Sequence, residues 1–206
     1  MNPSGPDFAS RPLGAFLDDL ASKRPVPGGG AAAGTTVATA AALASMVVAY
    51  SLGRKNLLEH REELKTISSR LEHLRGAALA AADADAVAYE GLQALWSLDK
   101  TDPKRVEHWS SAVEAAIAAP RAIMEFAEAV LEIAERLEGR SNRMLRSDLA
   151  IAAVLADAGH RGAAANVLIN LPLLDDPARA ASETATLSDA IERFRRRAER
   201  LERACR

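Results

Sequence analysis

Between Leu64 and Leu95 an apolar side chain recurs at alternating intervals of three and four residues: Leu64, Ile67, Leu71, Leu74, Ala78, Ala81, Asp85, Ala88, Leu92 and Leu95. That spacing lays one stripe along a long helix and requires partner helices at a shallow crossing angle. One member of the stripe is an aspartate, Asp85. The pattern returns at Val106, Trp109, Val113, Ala116, Pro120, Ile123, Ala127, Val130, Ala134 and Leu137. There Pro120 is expected to kink the helix and Gly139 to close it. It returns again at Ile191, Phe194, Ala198, Leu201 and Cys205.

The remaining segments agree with this reading. About one residue in five is alanine and aromatics make up 4%, which suits closely packed helices and disfavours a β-sandwich. A first short helix is expected to be capped by Ser10 and to tolerate Pro12 in its first turn, with Phe16, Leu17 and Leu20 as its apolar side. No helix crosses Pro25-Val26-Pro27-Gly28-Gly29-Gly30. The second helix is expected from about Ala31 to Leu52; it carries no charge, so it should be buried nearly all round. A fifth is expected from about Leu145 to Ile169, with Gly159 and Gly162 leaving it open to a break. No β-alternation, hairpin signal or fixed repeat occurs. The expected fold is an all-α, up-and-down bundle of about five to six helices, one domain over 1–206.

Charge and cysteine usage narrow the partners. A formal net charge of −2 provides no global basic field for nucleic acid or an anionic membrane. Cys205 stands alone, which excludes a disulfide framework or a cysteine zinc site within one chain. His60, His73, His108 and His160 form no HExxH pair, so no metal is expected. Met1 to Asp7 lacks the features of a signal peptide. Ala31 to Ser51 is long enough to raise a membrane question, but its Ala, Thr and Gly content favours a buried central helix. A cytoplasmic setting follows as the expectation.

Several residues are candidates for chemistry. A carboxylate on an apolar seam is costly unless paired, hydrogen-bonded or neutral, so Asp85 either fixes helix register or serves a desolvated site. Gly28, Gly29 and Gly30 match neither a P-loop nor a Rossmann turn. They read either as a connector or as a backbone surface at a helix N-terminus, where free N–H groups meet a ligand. Ser147-Asp148 reads as a helix cap or a site pair. Asn166 and Asn170 share a helix face and need partners if buried. Arg54 and Lys55 read first as cations favoured at a helix C-terminus. Arg195-Arg196-Arg197 is interleaved with glutamates and reads as a solvated face.

Taken together, four blocks resemble the formiminotransferase-cyclodeaminase and methenyltetrahydrofolate cyclohydrolase family. Phe16-Leu17-Asp18-Asp19-Leu20-Ala21-Ser22 with Pro25-Val26-Pro27-Gly28-Gly29-Gly30 resembles its opening. Ser51-Leu52-Gly53-Arg54-Lys55 resembles its Gly-Lys-Lys turn. Asp85-Ala86-Val87-Ala88-Tyr89 resembles its Asp-x-x-Ala-Phe/Tyr segment. Ser147-Asp148 and Asn166-Val167-Leu168-Ile169-Asn170 resemble its Ser-Asp and Asn-Val-x-Ile-Asn segments. Val26 and Ala31 stand where the family often has Thr and Ser, and Glu90 and Asp99 where it often has Asn and Pro.

The resemblance implies an all-helical fold, a homodimer and action on one-carbon tetrahydrofolates. Its expected reaction is hydrolysis of 5,10-methenyltetrahydrofolate to the 10-formyl compound, with the folate as substrate and no cofactor. Asp85 would activate water or stabilise the cation, and Asp148 would hold the pterin or share the proton work. Gly28 to Gly30 would shape the pocket, and Arg54 and Lys55 would meet the glutamate tail. Tyr89, Ser147, Asn166 and Asn170 would complete the binding set. The alternatives are formiminotetrahydrofolate cyclodeaminase, on the same scaffold, and a non-catalytic helical dimerisation module.

Overall fold

The uncharged segment forms α2, Gly29–Ala49, and the bundle is built around it. In the computed structural model, which describes residues 6–206, α2 packs chiefly against α3 (Arg61–Trp96) and α5 (Arg146–Asn170), with α4 (Pro103–Leu137) closing the layer behind it. A short α1 (Leu13–Leu20) precedes α2, and α6 (Pro177–Ala204) lies on α5 and α4. Most of the Met1 to Asp7 segment lies outside the described residues. Among the described residues there are six α-helices, four 3₁₀ turns and no strand, the all-α bundle expected from the seams.

Close approach explains why α2 is rich in small residues. A Cβ on Gly34 would come within 2.8 Å of the Ala82 Cβ and 2.9 Å of the Ala78 carbonyl on α3. On the other side, a Cβ on Gly159 of α5 would meet the Val37 side chain at 2.5 Å and the Ala33 carbonyl at 3.1 Å. Gly159 therefore does not break α5. It lets two backbones touch, and the helix runs unbroken through Gly162 as well. Val37, Ala40, Ala41, Ala44, Val47 and Val48 are buried. α2 is thus long and apolar enough to cross a membrane by composition, yet much of it is enclosed by its neighbours.

Other expectations change in detail. α2 begins at Gly29, two residues before the expected start, because Gly28 is the last extended residue and its carbonyl already accepts the Ala32 N–H at 3.0 Å. Ser10 does not cap α1. It ends a 3₁₀ turn, Phe8–Ser10, capped by Asp7, and Pro12 takes the N-cap position of α1. Phe8 and Phe16 meet edge to face and pack with Ala31, Ala82 and Ala86 into a small second core. The Phe8 N–H also donates to Asp83 at 2.9 Å, fastening this segment to α3. The arginine run is fully engaged: Arg195 with Glu199, Arg196 with Glu192, and Arg197 with Glu135 across to α4.

Candidate active site

The seam of α3 is buried from Leu64 to Ala82 and opens at Asp85, which is half-buried. There the start of α2, the middle of α3, the middle of α4 and the end of α5 bound a cleft of about 250 Å³. Its walls are Pro25, Val26 and Gly28 to Gly30, then Asp85, Ala86 and Tyr89, then Ala116, and finally Asn166, Ile169 and Asn170. Blocks of the sequence distant from one another converge here.

Asp85 and Gly30 define the floor. A Cβ on Gly30 would overlap the whole Asp85 carboxylate, so only glycine admits the aspartate in this position. Burial pushes the Asp85 carboxyl up to about 6, and no hydrogen bond or ion pair among the described residues offsets it. The carboxylate faces the first turn of α2, which has no side-chain cap and whose first N–H groups lack intrahelical acceptors. The positive end of that helix favours the ionised form near neutrality.

Asn170 has two functions that the sequence alone does not separate. Pro120 has no N–H, so the Ala116 carbonyl one turn earlier in α4 loses its helical donor. The Asn170 Nδ2 donates to that carbonyl at 2.9 Å. This fastens α5 to α4 at the cleft wall and leaves Asn170 Oδ1 as the polar atom available to the cleft. α4 consequently runs without interruption through Pro120. Asn166 sits opposite Gly29, its Oδ1 3.4 Å from where a Gly29 Cβ would lie. Tyr89, one turn beyond Asp85, is 47% exposed at the rim.

The other sequence candidates lie at the opposite end of the bundle. Arg54 and Lys55 follow α2, whose 21 residues span about 30 Å. Arg54 is exposed and its Nε donates to the Tyr50 carbonyl at 3.3 Å, the helix-end role expected of a cation there. Beside them the buried Ser51 Oγ accepts from the Asn142 N–H at 2.8 Å, tying that end together. Ser147 and Asp148 fall in the first turn of α5, after Leu145 at the N-cap, so neither is the cap residue. Asp148 is about 27 Å along α5 from Asn166 by the helical rise. One chain therefore brings Gly28, Gly29, Gly30, Asp85, Tyr89, Asn166 and Asn170 together, and keeps Arg54, Lys55, Ser147 and Asp148 apart from them. Pro25, Ala86, Ala116 and Ile169 were not candidate site residues in the sequence. The Pro120-to-Asn170 pairing was the signal for Ala116, but it required the packing of α5 on α4. Among the described residues no group of three or more His, Cys, Asp or Glu is placed to hold a metal ion.

An all-helical bundle with one desolvated carboxylate and two amides in an end cleft defines the class of molecule. The chain belongs to the formiminotransferase-cyclodeaminase family, whose model matches residues 12–189. Methenyltetrahydrofolate cyclohydrolase of Methylorubrum extorquens is 35% identical over 167 residues, covering 79% of this chain and 80% of that one. Formimidoyltransferase-cyclodeaminase of Sus scrofa is 32% identical over 199 residues, but those cover 92% of this chain and 36% of that longer protein. The crystal structure of formiminotetrahydrofolate cyclodeaminase from Thermotoga maritima matches with a TM-score of 0.83 and 25% identity, over 95% of this chain and 97% of that one.

Proposed function

We propose that this chain is a methenyltetrahydrofolate cyclohydrolase, adding water to 5,10-methenyltetrahydrofolate to give 10-formyltetrahydrofolate. The observation that carries the reading is the Asp85 carboxylate, set in the cleft against Gly30 and pushed up to about 6 by burial. The relative from Methylorubrum extorquens, matched over most of both chains, supports the same reaction.

The substrate carries an amidinium carbon that is already electrophilic, so the reading calls for no metal or redox cofactor. Ionised Asp85 attracts the cation, which strengthens in a water-poor cleft. It then accepts a proton from the attacking water as the new carbon–oxygen bond forms. The tetrahedral adduct opens by breaking the bond between that carbon and N5. Protonated Asp85 returns its proton to N5, and the adduct hydroxyl releases one proton to solvent as the formyl carbonyl forms. Gly28 and Gly30 present backbone to the pterin, Asn166 and Asn170 Oδ1 pair with its polar edge, and Tyr89 covers one ring face.

Formiminotetrahydrofolate cyclodeaminase is the second reading, favoured by the name of the structural neighbour. Homodimer formation belongs to the proposal too. Ala32, Thr36, Thr39, Leu43, Met46 and Tyr50 form an uncharged heptad stripe on α2 that remains half-buried or exposed, which suits a second copy. Arg54, Lys55, Ser147 and Asp148 would join the cleft only if the second copy brought them there. The proposed setting is the cytoplasm. The absorbance of methenyltetrahydrofolate tests the activity. Decay above the buffer rate supports hydrolysis, while ammonia release from the formimino substrate with no such decay replaces it with the deaminase. Absence of both supports a non-catalytic module.

A further inference from the structure

Arg54 and Lys55 lie a helix length away and no lysine or arginine lines the cleft, so the anionic tail of a folate bound there needs a cationic partner beyond its walls. A second pocket of about 630 Å³ lies next to the cleft, lined by α3, α4 and the turn that follows α5. α3 continues from Tyr89 to Trp96, α4 from Ala116 back to Trp109, and α5 passes from Asn170 directly into Pro172 and Leu173. The two pockets are separated on α3 and on α4 by two turns of helix, about 10 Å by the helical rise.

The chemistry of this pocket is aromatic and cationic. Trp96 and Trp109 meet edge to face with ring centroids 5.6 Å apart, and Trp96 is 53% exposed. The Arg105 guanidinium lies 4.4 Å over the Trp109 ring. It is held there by donating to the Leu98 carbonyl at 2.7 Å and the Trp96 carbonyl at 3.3 Å. Lys100 lines the pocket, is exposed and makes no ion pair among the described residues. Asp175 is the one carboxylate among the lining residues.

We propose that this pocket binds the p-aminobenzoyl-oligoglutamate tail of the substrate. The aryl group packs on the tryptophans, and Lys100 and Arg105 pair with the carboxylates. The proposal rests on the folate reading of the cleft and has its own readout. The chain contains two tryptophans, and both are here. Intrinsic fluorescence therefore reports on this pocket and not on Asp85. The experiment titrates the intact protein with pterin-free p-aminobenzoyl-oligoglutamate. The expected result is a saturable change in emission, weakened roughly fivefold by Lys100→Glu and by added salt. In turnover, Lys100→Glu should raise KM more for the polyglutamyl than for the monoglutamyl substrate. No change in emission, or equal affinity in Lys100→Glu, overturns the proposal. So does loss of the polyglutamate preference in the Arg54→Gln/Lys55→Gln variant with its retention in Lys100→Glu. A fluorescence response without turnover of the methenyl compound removes the assigned activity and keeps the pocket; turnover without a response does the reverse.

Discussion

Gly30 and Asp85 compete for the same small volume, and a methyl group decides between them. In Gly30→Ala the added carbon overlaps the Asp85 carboxylate. The carboxylate sits at the end of a rotatable side chain, so it swings aside at modest cost to the fold. The expected outcome is a loss of turnover of roughly 10²-fold, the scale of a lost acid–base group, with a melting temperature close to wild type. Full activity in Gly30→Ala would show that the carboxylate position is not used. Gly29 differs although it is adjacent. It is helical, and a Cβ there meets Asn166 at an ordinary contact distance of 3.4 Å. Gly29→Ala should therefore keep activity and gain about 0.4–1 kcal/mol, measured by denaturant unfolding. A large loss of turnover there would place a ligand against Gly29.

At the scale of the elements, the seams of α3, α4 and α6 were legible because each is a 3-4 repeat buried over most of its length, although Val106 at the start of the α4 seam is exposed. The cleft was legible only in pieces. Asp85 stood out as a charge on an apolar stripe, and the glycine run as a place where backbone is exposed. What stayed hidden depends on packing. Gly159 and Gly162 looked like breaks in α5 because sequence cannot show the helix pressed against them. The structural role of Asn170 stayed hidden because sequence cannot show that the carbonyl orphaned by Pro120 lies across from it. That pairing makes a testable cycle. Asn170→Ala strands a partly buried carbonyl and should cost about 1–3 kcal/mol. In a Pro120→Ala background the substituted residue supplies the missing backbone N–H to the Ala116 carbonyl, and the same Asn170→Ala change should cost clearly less. Equal costs in both backgrounds, read from urea unfolding, would sever the link between Pro120 and Asn170.

At the scale of the whole molecule, stability carries two opposed titrations. His160 is fully buried among α5, α4 and α6, stacked on Phe194 at 4.1 Å, with both ring nitrogens unpartnered. Glu128 lies 3.8 Å from Nε2, too far for a hydrogen bond. Burial lowers His160 from 6.5 to about 4, so the ring is neutral at pH 7 and forms no ion pair there. Its contribution is present above pH 6.5 and is lost as pH falls toward 4, because the unfolded chain binds the proton first. Asp85 runs the other way. Its pKa rises from 3.8 to about 6, so its protonated form favours the folded state below 3.8, and that contribution is lost as pH rises through 6. Relative to wild type, His160→Leu should gain stability as pH falls from 6.5 to 4, with a slope of up to about 1.4 kcal/mol per pH unit. Asp85→Asn should lose stability over the same range. Melting curves that stay parallel to wild type would contradict both assignments. The account as a whole depends on Asp85 acting as a base in the cleft, and the pH dependence of kcat/KM for methenyltetrahydrofolate hydrolysis tests this most directly. After subtraction of the buffer rate, wild type should rise through an apparent pKa near 6 as Asp85 ionises. In Asp85→Asn that limb should vanish and the plateau should fall by roughly 10²-fold. An unchanged limb and plateau in the asparagine variant, with the fold intact, would contradict the account.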